Sequence, residues 1–439
     1  MTLFLPSTTT VAILLLGATV LLAFGSDALA QRFRIPDVLW LILFGLLAGP
    51  IFHIVSPAQI TELGAILGTA ALIVILYDAG IDFNIRDLRT VGPSGALFAF
   101  GSFGLAALLL FAVAYGIFAP GDWTTSILFA LALAGVSGAV TLPIAQRLGF
   151  PGTLPSLLGL EFAIEDTLAV LSVTILVAIL ATGGGWSEVV PAVVLPLPLA
   201  IAFGLVGGFV AIQFLSRWQN RTFAGLAMMG LLFVVYAGAQ SLDGSGIMAA
   251  LVMGIVLGND AFFRRWLPRS SREIFLLDPT VRQVHNDIAF VLRALFLVFL
   301  GILVPFQPLG VLAIAAVIAL AVALLLLRRY FFLQGAQHGR IPAEFVDRLA
   351  GLYGRGLTNA VLLILAIDLL PAGPSAGLHA VLLPAFLIII GTDIAMTVLV
   401  FLGSPPDPVA ARPAMGRPVA RYAANDIGGD AGGDEFPPT

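Results

Sequence analysis

The sequence contains no cysteine and no lysine. Without cysteine there can be no disulfide, no thiolate metal site and no cysteine nucleophile. All 21 basic residues are arginine, so any cation buried in the fold is a guanidinium, which keeps its proton in proteins and cannot relay one. Schiff-base and lysine-relay chemistry are excluded with it. Histidine is scarce: His53, His285, His338 and His379 stand at the edges of apolar runs, without the paired spacing of a metal site. A pH-sensing part is open to His285 and His338. Charge of either sign is sparse, at 10% of residues. The N-terminus lacks a basic n-region and a clear small-residue cleavage site, so the first apolar run is expected to be a retained span.

What is present is apolar surface. With 59% hydrophobic residues and a mean hydropathy of +1.06, the composition lies far outside the soluble range and reads as a polytopic membrane protein. Runs long enough to cross the hydrocarbon fall near 10–29, 36–53, 62–80, 93–118, 124–146, 152–181, 190–215, 223–240, 245–258, 287–304, 309–332, 347–370 and 376–402, thirteen in all. Arginines collect in alternate loops, with Arg32 and Arg34, Arg86 and Arg89, Arg147, Arg217 and Arg221, the cluster Arg264 to Arg282, and Arg340 with Arg348. The positive-inside rule then puts the N-terminus outside and the C-terminus inside, which an odd number of spans satisfies. The basic loop Asn259 to Asn286 is expected to hold a short surface helix or to act only as a topology signal. Residues 1–404 read as a membrane domain, and the Pro, Ala, Gly and Asp-rich stretch 405–439 as a disordered cytoplasmic tail.

Within this apolar chain the stretch LEFAIEDTLAV, Leu160 to Val170, carries Glu161, Glu165 and Asp166. A carboxylate near the bilayer centre costs about 2.5 kcal/mol or more, so such acids normally face a cavity or a partner and mark an ion or proton path. On a helix Glu161 and Glu165 share a face, with Asp166 turned about 100° from Glu165, so the three can line one side of a cavity. The competing reading is a set of acids neutralised by arginine for packing alone. Two spans carry helix-breaking polar patches at corresponding places: GVSGAVTLP (Gly135 to Pro143) in the fifth and YGRGLTNAV (Tyr353 to Val361) in the twelfth. Paired interruptions of this kind point to an inverted-repeat site whose unwound backbone lines a cavity. An ordinary kink at Pro143 and close packing at the glycines is the plainer alternative.

At these residues the chain resembles the monovalent cation:proton antiporter superfamily, most nearly the sodium/proton antiporters of the NhaP type. The resemblance covers roughly residues 30–400. It rests on RFRIPDVLWLILFGLLAGP (32–50), LYDAGIDFNIRDLRTVG (76–92), GSGIMAALVMGIVLGN (244–259) and FLVFLGILVPF (296–306), with the acidic span in the right order among them. It implies an all-α polytopic fold of about 13 transmembrane helices, built from inverted repeats with two crossing discontinuous helices. A core ion-transport bundle is implied for 93–181 and 309–402, and dimerisation or scaffold spans for 10–80 and 190–304.

The family's cation site carries over with departures. Its sixth-span signature is Glu, three residues, Asn, Asp; here Glu161 and Asp166 match the ends, and Glu165 stands at the Asn, which resembles the dicarboxylate site of the electrogenic branch. The fifth span's Thr-Asp-Pro looks like Thr141-Leu142-Pro143, with the acid missing. The buried arginine that pairs with the Glu corresponds to Arg328 or Arg329, and Arg355 resembles the Arg of the twelfth-span patch, beside Thr358 and Asn359.

A monovalent cation is a hard ion that needs several oxygens to replace its lost water. Asp166, Glu165, Thr141 and Ser137 are the expected ion and proton ligands, with Gly138, Pro143, Arg355, Thr358 and Asn359 forming the discontinuous-helix patch. An acid that holds a proton or a cation, but not both, couples the two flows. The resemblance implies exchange of Na⁺, or alternatively K⁺, for protons, in pH homeostasis. It also implies a homodimer in a prokaryotic inner membrane, with no enzymatic chemistry, no cofactor and no nucleic-acid partner. Two rivals remain at this point. The same acids could line a cation channel, and GVSG (Gly135 to Gly138) fits the Gly-x-Ser-Gly form of rhomboid intramembrane proteases, with His379 as base.

Overall fold

A computed structural model of the chain describes residues 8–33, 37–55, 57–83, 85–151, 154–181, 196–218, 223–263, 279–304, 309–338, 341–370 and 372–402. Arg34, Arg221, the loop 264–278 and the tail 405–439 lie outside them, so the expectations placed there are not addressed. The described residues are nearly all helical. In chain order the helices are α1 (Thr8–Phe33), α2 (Asp37–Leu46), α3 (Pro57–Asp82), α4 (Ile85–Val113), α5 (Trp123–Ala134), α6 (Gly138–Arg147), α7 (Leu154–Ala181) and α8 (Pro196–Trp218). There follow α9 (Ala224–Ser241), α10 (Gly246–Gly258), α11 (Pro279–Leu303), α12 (Val311–Gln337), α13 (Val346–Gly351), α14 (Leu357–Leu369) and α15 (Ala372–Leu402).

Each of the thirteen apolar runs is met by helix. Seven helices among the described residues are long and apolar enough to cross a membrane, and six shorter apolar helices accompany them. Two of the six, α5 and α14, belong to the fifth and twelfth runs, which are short because the chain breaks there. Run edges moved where polar residues extend a helix beyond the apolar stretch. The tenth run was placed from 287, whereas α11 starts at Pro279 and includes Gln283 and His285. Helix starts follow their caps: Asp122 accepts the Thr125 N–H at 3.0 Å to open α5, and Ser245 accepts the Met248 N–H at 3.3 Å to open α10.

The helices pack in two sets. In one, α10 lies against α3, α8 and α9, and α11 against α1, α2 and α3. In the other, α4 packs on α5, α7 and α12, while α15 packs on α5, α12 and α14. The sets meet where α3 touches α7 and α14. Within the first set the backbones nearly touch: a Cβ added at Gly301 would lie 2.8 Å from Gly45 Cα, and one added at Gly80 would lie 3.0 Å from Gly254 Cα. The second set shows one pattern twice, a long helix, a broken helix and a long helix: α4, α5–α6, α7, and again α12, α13–α14, α15. This internal repetition leaves no trace of sequence identity.

At the seam of the two sets, Asn259 follows α10. Its Oδ1 accepts the Ile85 N–H at 2.7 Å, and its Nδ2 donates to the carbonyls of Phe83 at 2.6 Å and Ile255 at 2.9 Å. It thereby ties the start of α4 to the end of α10. Asp78, near the end of α3, contacts the ring nitrogen Nε2 of His285 on α11, with Tyr77 edge-on to the imidazole at 5.2 Å.

Candidate functional site

Both predicted interruptions are present, and they meet. The first spans Gly135 to Ser137, between α5 and α6, and the second Leu352 to Gly356, between α13 and α14. The Ser137 N–H donates to the Gly354 carbonyl at 3.0 Å. Glycine is needed at this junction: a Cβ at Gly356 would lie 2.8 Å from Ser137 Oγ, and one at Gly135 would lie 3.2 Å from the Glu165 carbonyl. One placement is corrected. Pro143 does not make the break but lies inside α6, which begins at Gly138; the interruption is carried by the residues before it. Thr358 and Asn359 likewise stand in the first turn of α14, and only Arg355 of that trio lies in the unwound segment.

The broken ends leave carbonyls that no helix satisfies. Two side chains supply donors, Arg355 from the second break and Asn359 from the first turn of α14. Arg355 Nε donates to the Leu133 carbonyl at 2.6 Å and its Nη2 to Ala134 at 3.3 Å. Asn359 Nδ2 donates to the carbonyls of Ala132 at 2.8 Å and Gly135 at 3.0 Å. The negative end of α5 therefore faces a guanidinium, the favourable sign for a helix C-terminus. Asn359 Oδ1 also accepts the Gly356 N–H at 2.9 Å, closing the start of α14.

The positive end of α6 faces an acid. Asp166 Oδ2 accepts the Gly138 N–H at 3.3 Å, an anion at a helix N-terminus. Asp166 is buried, as are Ser137 and Thr141. Those two hydroxyls stand one turn apart at the start of α6, where the Thr141 N–H donates to the Ser137 carbonyl at 3.1 Å. Among the described residues neither hydroxyl has a hydrogen-bond partner. Buried hydroxyls normally find one, so this pair of orphan oxygens beside a carboxylate is what a site for a bare cation would supply.

Glu165 is buried at 1% exposure, and both of its oxygens are engaged. Oε2 accepts the Val136 N–H at 2.8 Å, and Oε1 accepts from the hydroxyl of Ser102 on α4. Ser102 escaped the sequence reading. Its only signal is the small polar pair Gly101-Ser102 inside an apolar run, and lone serines are ordinary in such helices.

Glu161 takes the buried arginine left open between two candidates. Arg328 Nη1 and Nη2 lie 2.5 and 3.1 Å from its two carboxylate oxygens, with the guanidinium over the rings of Phe162 at 5.5 Å and Phe332 at 5.0 Å. Arg329 is turned outward to the exposed Asp347, 2.7 Å away. One helix step separates the two fates. Asp393 on α15 is fully buried beside the second break, where a Cβ at Gly354 would collide with it. The adjacent Thr392 hydroxyl accepts the Arg355 N–H at 3.2 Å.

Among the described residues the Ser137 hydroxyl has no hydrogen-bond partner, and His379, nominated as its base, is exposed on α15.

Known proteins resemble this chain in sequence and in fold. A K⁺/H⁺ antiporter NhaP of Alkalimonas amylolytica is 27% identical over 371 residues, covering 81% of this chain and 60% of that protein; the chain thus spans about three fifths of its length. A Na⁺/H⁺ antiporter NhaP of Pseudomonas aeruginosa is 25% identical, covering 72% of this chain and 76% of that protein. The fold matches the structure of the sodium proton antiporter MjNhaP1 from Methanocaldococcus jannaschii at pH 8, with a TM-score of 0.72 at 20% identity, over 90% of this chain and 98% of that one. The family model described as sodium/hydrogen exchanger, transmembrane, matches residues 17–402. The chain is thus a multi-pass integral membrane protein and belongs to the sodium/hydrogen exchanger family.

Proposed function

We propose that the protein is a secondary active antiporter that exchanges a monovalent cation, Na⁺ first, for protons by alternating access. The observation that carries this reading is the buried Asp166 at the N-terminus of α6, beside the unpartnered hydroxyls of Ser137 and Thr141. Asp166 is the shared acid. It holds a proton in one half of the cycle and a cation in the other, when the two hydroxyls replace part of the ion's water shell. Glu161 is structural and is held by Arg328. No cofactor takes part, because the gradients supply the driving force.

Thirteen spans, with the N-terminus outside and the C-terminus inside, fit the alternation of arginine-bearing loops. The bundle of α4 to α7 and α12 to α15 is the ion-transport core, corresponding to 93–181 and 309–402. The helices of 10–80 and 190–304 are the scaffold and homodimer face. The membrane is a prokaryotic inner membrane. K⁺ is the second reading for the cation, supported by the name of the A. amylolytica relative.

Reconstitution into proteoliposomes with a panel of Na⁺, K⁺ and Li⁺ under clamped membrane potential tests the proposal. Saturable proton movement against a cation gradient is expected, with ion choice and charge per cycle read together. Flux that runs only downhill without coupling would indicate a channel and overturn it.

A further inference from the structure

Three elements converge on the carboxylate of Glu165. Helix α7 presents it, α4 donates the Ser102 hydroxyl to Oε1, and the first break donates the Val136 N–H to Oε2 at 2.8 Å. The charged groups facing it are Arg328 from α12, Arg355 from the second break, and Glu161 on its own helix, with Asp166 next in sequence. Ser102 is itself buried, and its hydroxyl has a second acceptor in reach, the Ala99 carbonyl at 3.3 Å. A serine hydroxyl has a single hydrogen to give. It goes to Glu165 while that oxygen is a bare acceptor, and it can turn to Ala99 if residue 165 becomes a donor.

We propose that Glu165 is a positioning residue and not a cation ligand. Ser102 and Val136 clamp its carboxylate as a strut between α4 and the first break, so that Asp166 alone meets the ion with charge. This rests on the antiporter reading above and deepens it, since it fixes the number of anionic ligands at one. The strut has a chemical signature. Glutamine at 165 keeps every bond: its amide oxygen accepts from Val136, its NH₂ donates to Ser102 Oγ, and the Ser102 hydrogen turns to Ala99. Alanine at 102 does the opposite. It strips Oε1 of its donor in a buried site, where an unsatisfied charged oxygen is costly. The cation at the neighbouring Asp166 then becomes the partner that Oε1 seeks. A second anionic ligand binds the ion more tightly and releases it more slowly.

The test measures KM and turnover for Na⁺ and K⁺ in proteoliposomes at fixed pH. The variants are Glu165→Gln, Ser102→Ala and Ser102→Thr, each checked for elution and melting. Glu165→Gln is expected to keep exchange, with turnover reduced by no more than about threefold. Ser102→Ala is expected to lower KM and turnover together, each by about fivefold, a change of about 1 kcal/mol in ion binding. Ser102→Thr, which keeps the hydroxyl, restores both. Loss of a destabilised fraction would lower turnover alone, so the fall in KM separates the strut from a structural role. A folded Glu165→Gln without exchange, or a Ser102→Ala with slower turnover and no fall in KM, would overturn the proposal. If Glu165→Gln does not fold, the serine pair decides. If the wild type exchanges no cation, the antiporter reading fails on its own account. Calorimetric Na⁺ binding then decides the strut, with tighter binding by Ser102→Ala supporting it and equal binding sinking it.

Discussion

Arg328 and Glu161 form a two-pronged ion pair inside the second helix set, at 2.5 and 3.1 Å, with both side chains at 5% exposure or less. The next residue, Arg329, pairs at the surface with Asp347, where the two side chains are 47% and 78% exposed. Removing one partner of a buried pair strands a charge and costs about 3–5 kcal/mol, whereas an exposed substitution stays within about 0.5 kcal/mol. Arg328→Ala and Glu161→Gln are therefore expected to lower the melting temperature in detergent clearly, and Arg329→Ala barely to move it. Equal melting of all three would reject the structural part given to the buried pair.

Asp166→Asn is expected to abolish exchange while leaving elution and melting near those of the wild type, because asparagine still accepts from the Gly138 N–H through its amide oxygen. A pH-sensitive dye in proteoliposomes reads it. Retained exchange would remove Asp166 from the centre of the cycle.

Ser137→Ala and Thr141→Ala remove oxygens that have no hydrogen-bond partner among the described residues. Little stability is expected to be lost, while KM for the cation rises. A melting loss with an unchanged KM would assign the hydroxyls to packing instead.

Asn359→Ala leaves two carbonyls at the end of α5 without their donor. A buried group left unsatisfied costs about 1–3 kcal/mol, so a lower melting temperature is expected, along with slowed exchange from a loosened junction. Hydrogen exchange at the first residues of α14 should rise in the same variant. Unaltered protection there would show that Arg355 holds the crossing by itself.

The proposed competition at Asp166 also predicts a pH response. As pH falls, protons occupy Asp166 more of the time, so KM for the cation should rise while the rate at saturating cation persists. Initial rates across pH and cation concentration check it. An unchanged KM over a range in which the rate falls would place proton binding elsewhere.

The helical runs and both breaks were legible in the sequence, because apolar length and clustered Gly, Ser and Asn at membrane depth are strong one-dimensional signals. The acids were legible for the same reason: charge stands out against such a background. What was hidden depends on pairing across the fold. Arg328 and Arg329 are neighbours in an identical context, and only the rotation of α12 sends one inward and the other out. Ser102 lies sixty-three residues from Glu165, and nothing near it hints at an acid. Pro143 lies inside α6, and the unwinding signalled by the stretch Gly135 to Pro143 is confined to the residues before Gly138.

The glycine contacts of the first helix set restrict how the molecule can change shape. Where Gly45 meets Gly301 and Gly80 meets Gly254, main chain rests on main chain, and a register slip would drive a branched side chain into a neighbour's peptide groups. These helices are keyed to one another as a fixed frame. On the exchange proposed above, the helices expected to travel are those outside this frame, with Asn259 at the join between α10 and the start of α4.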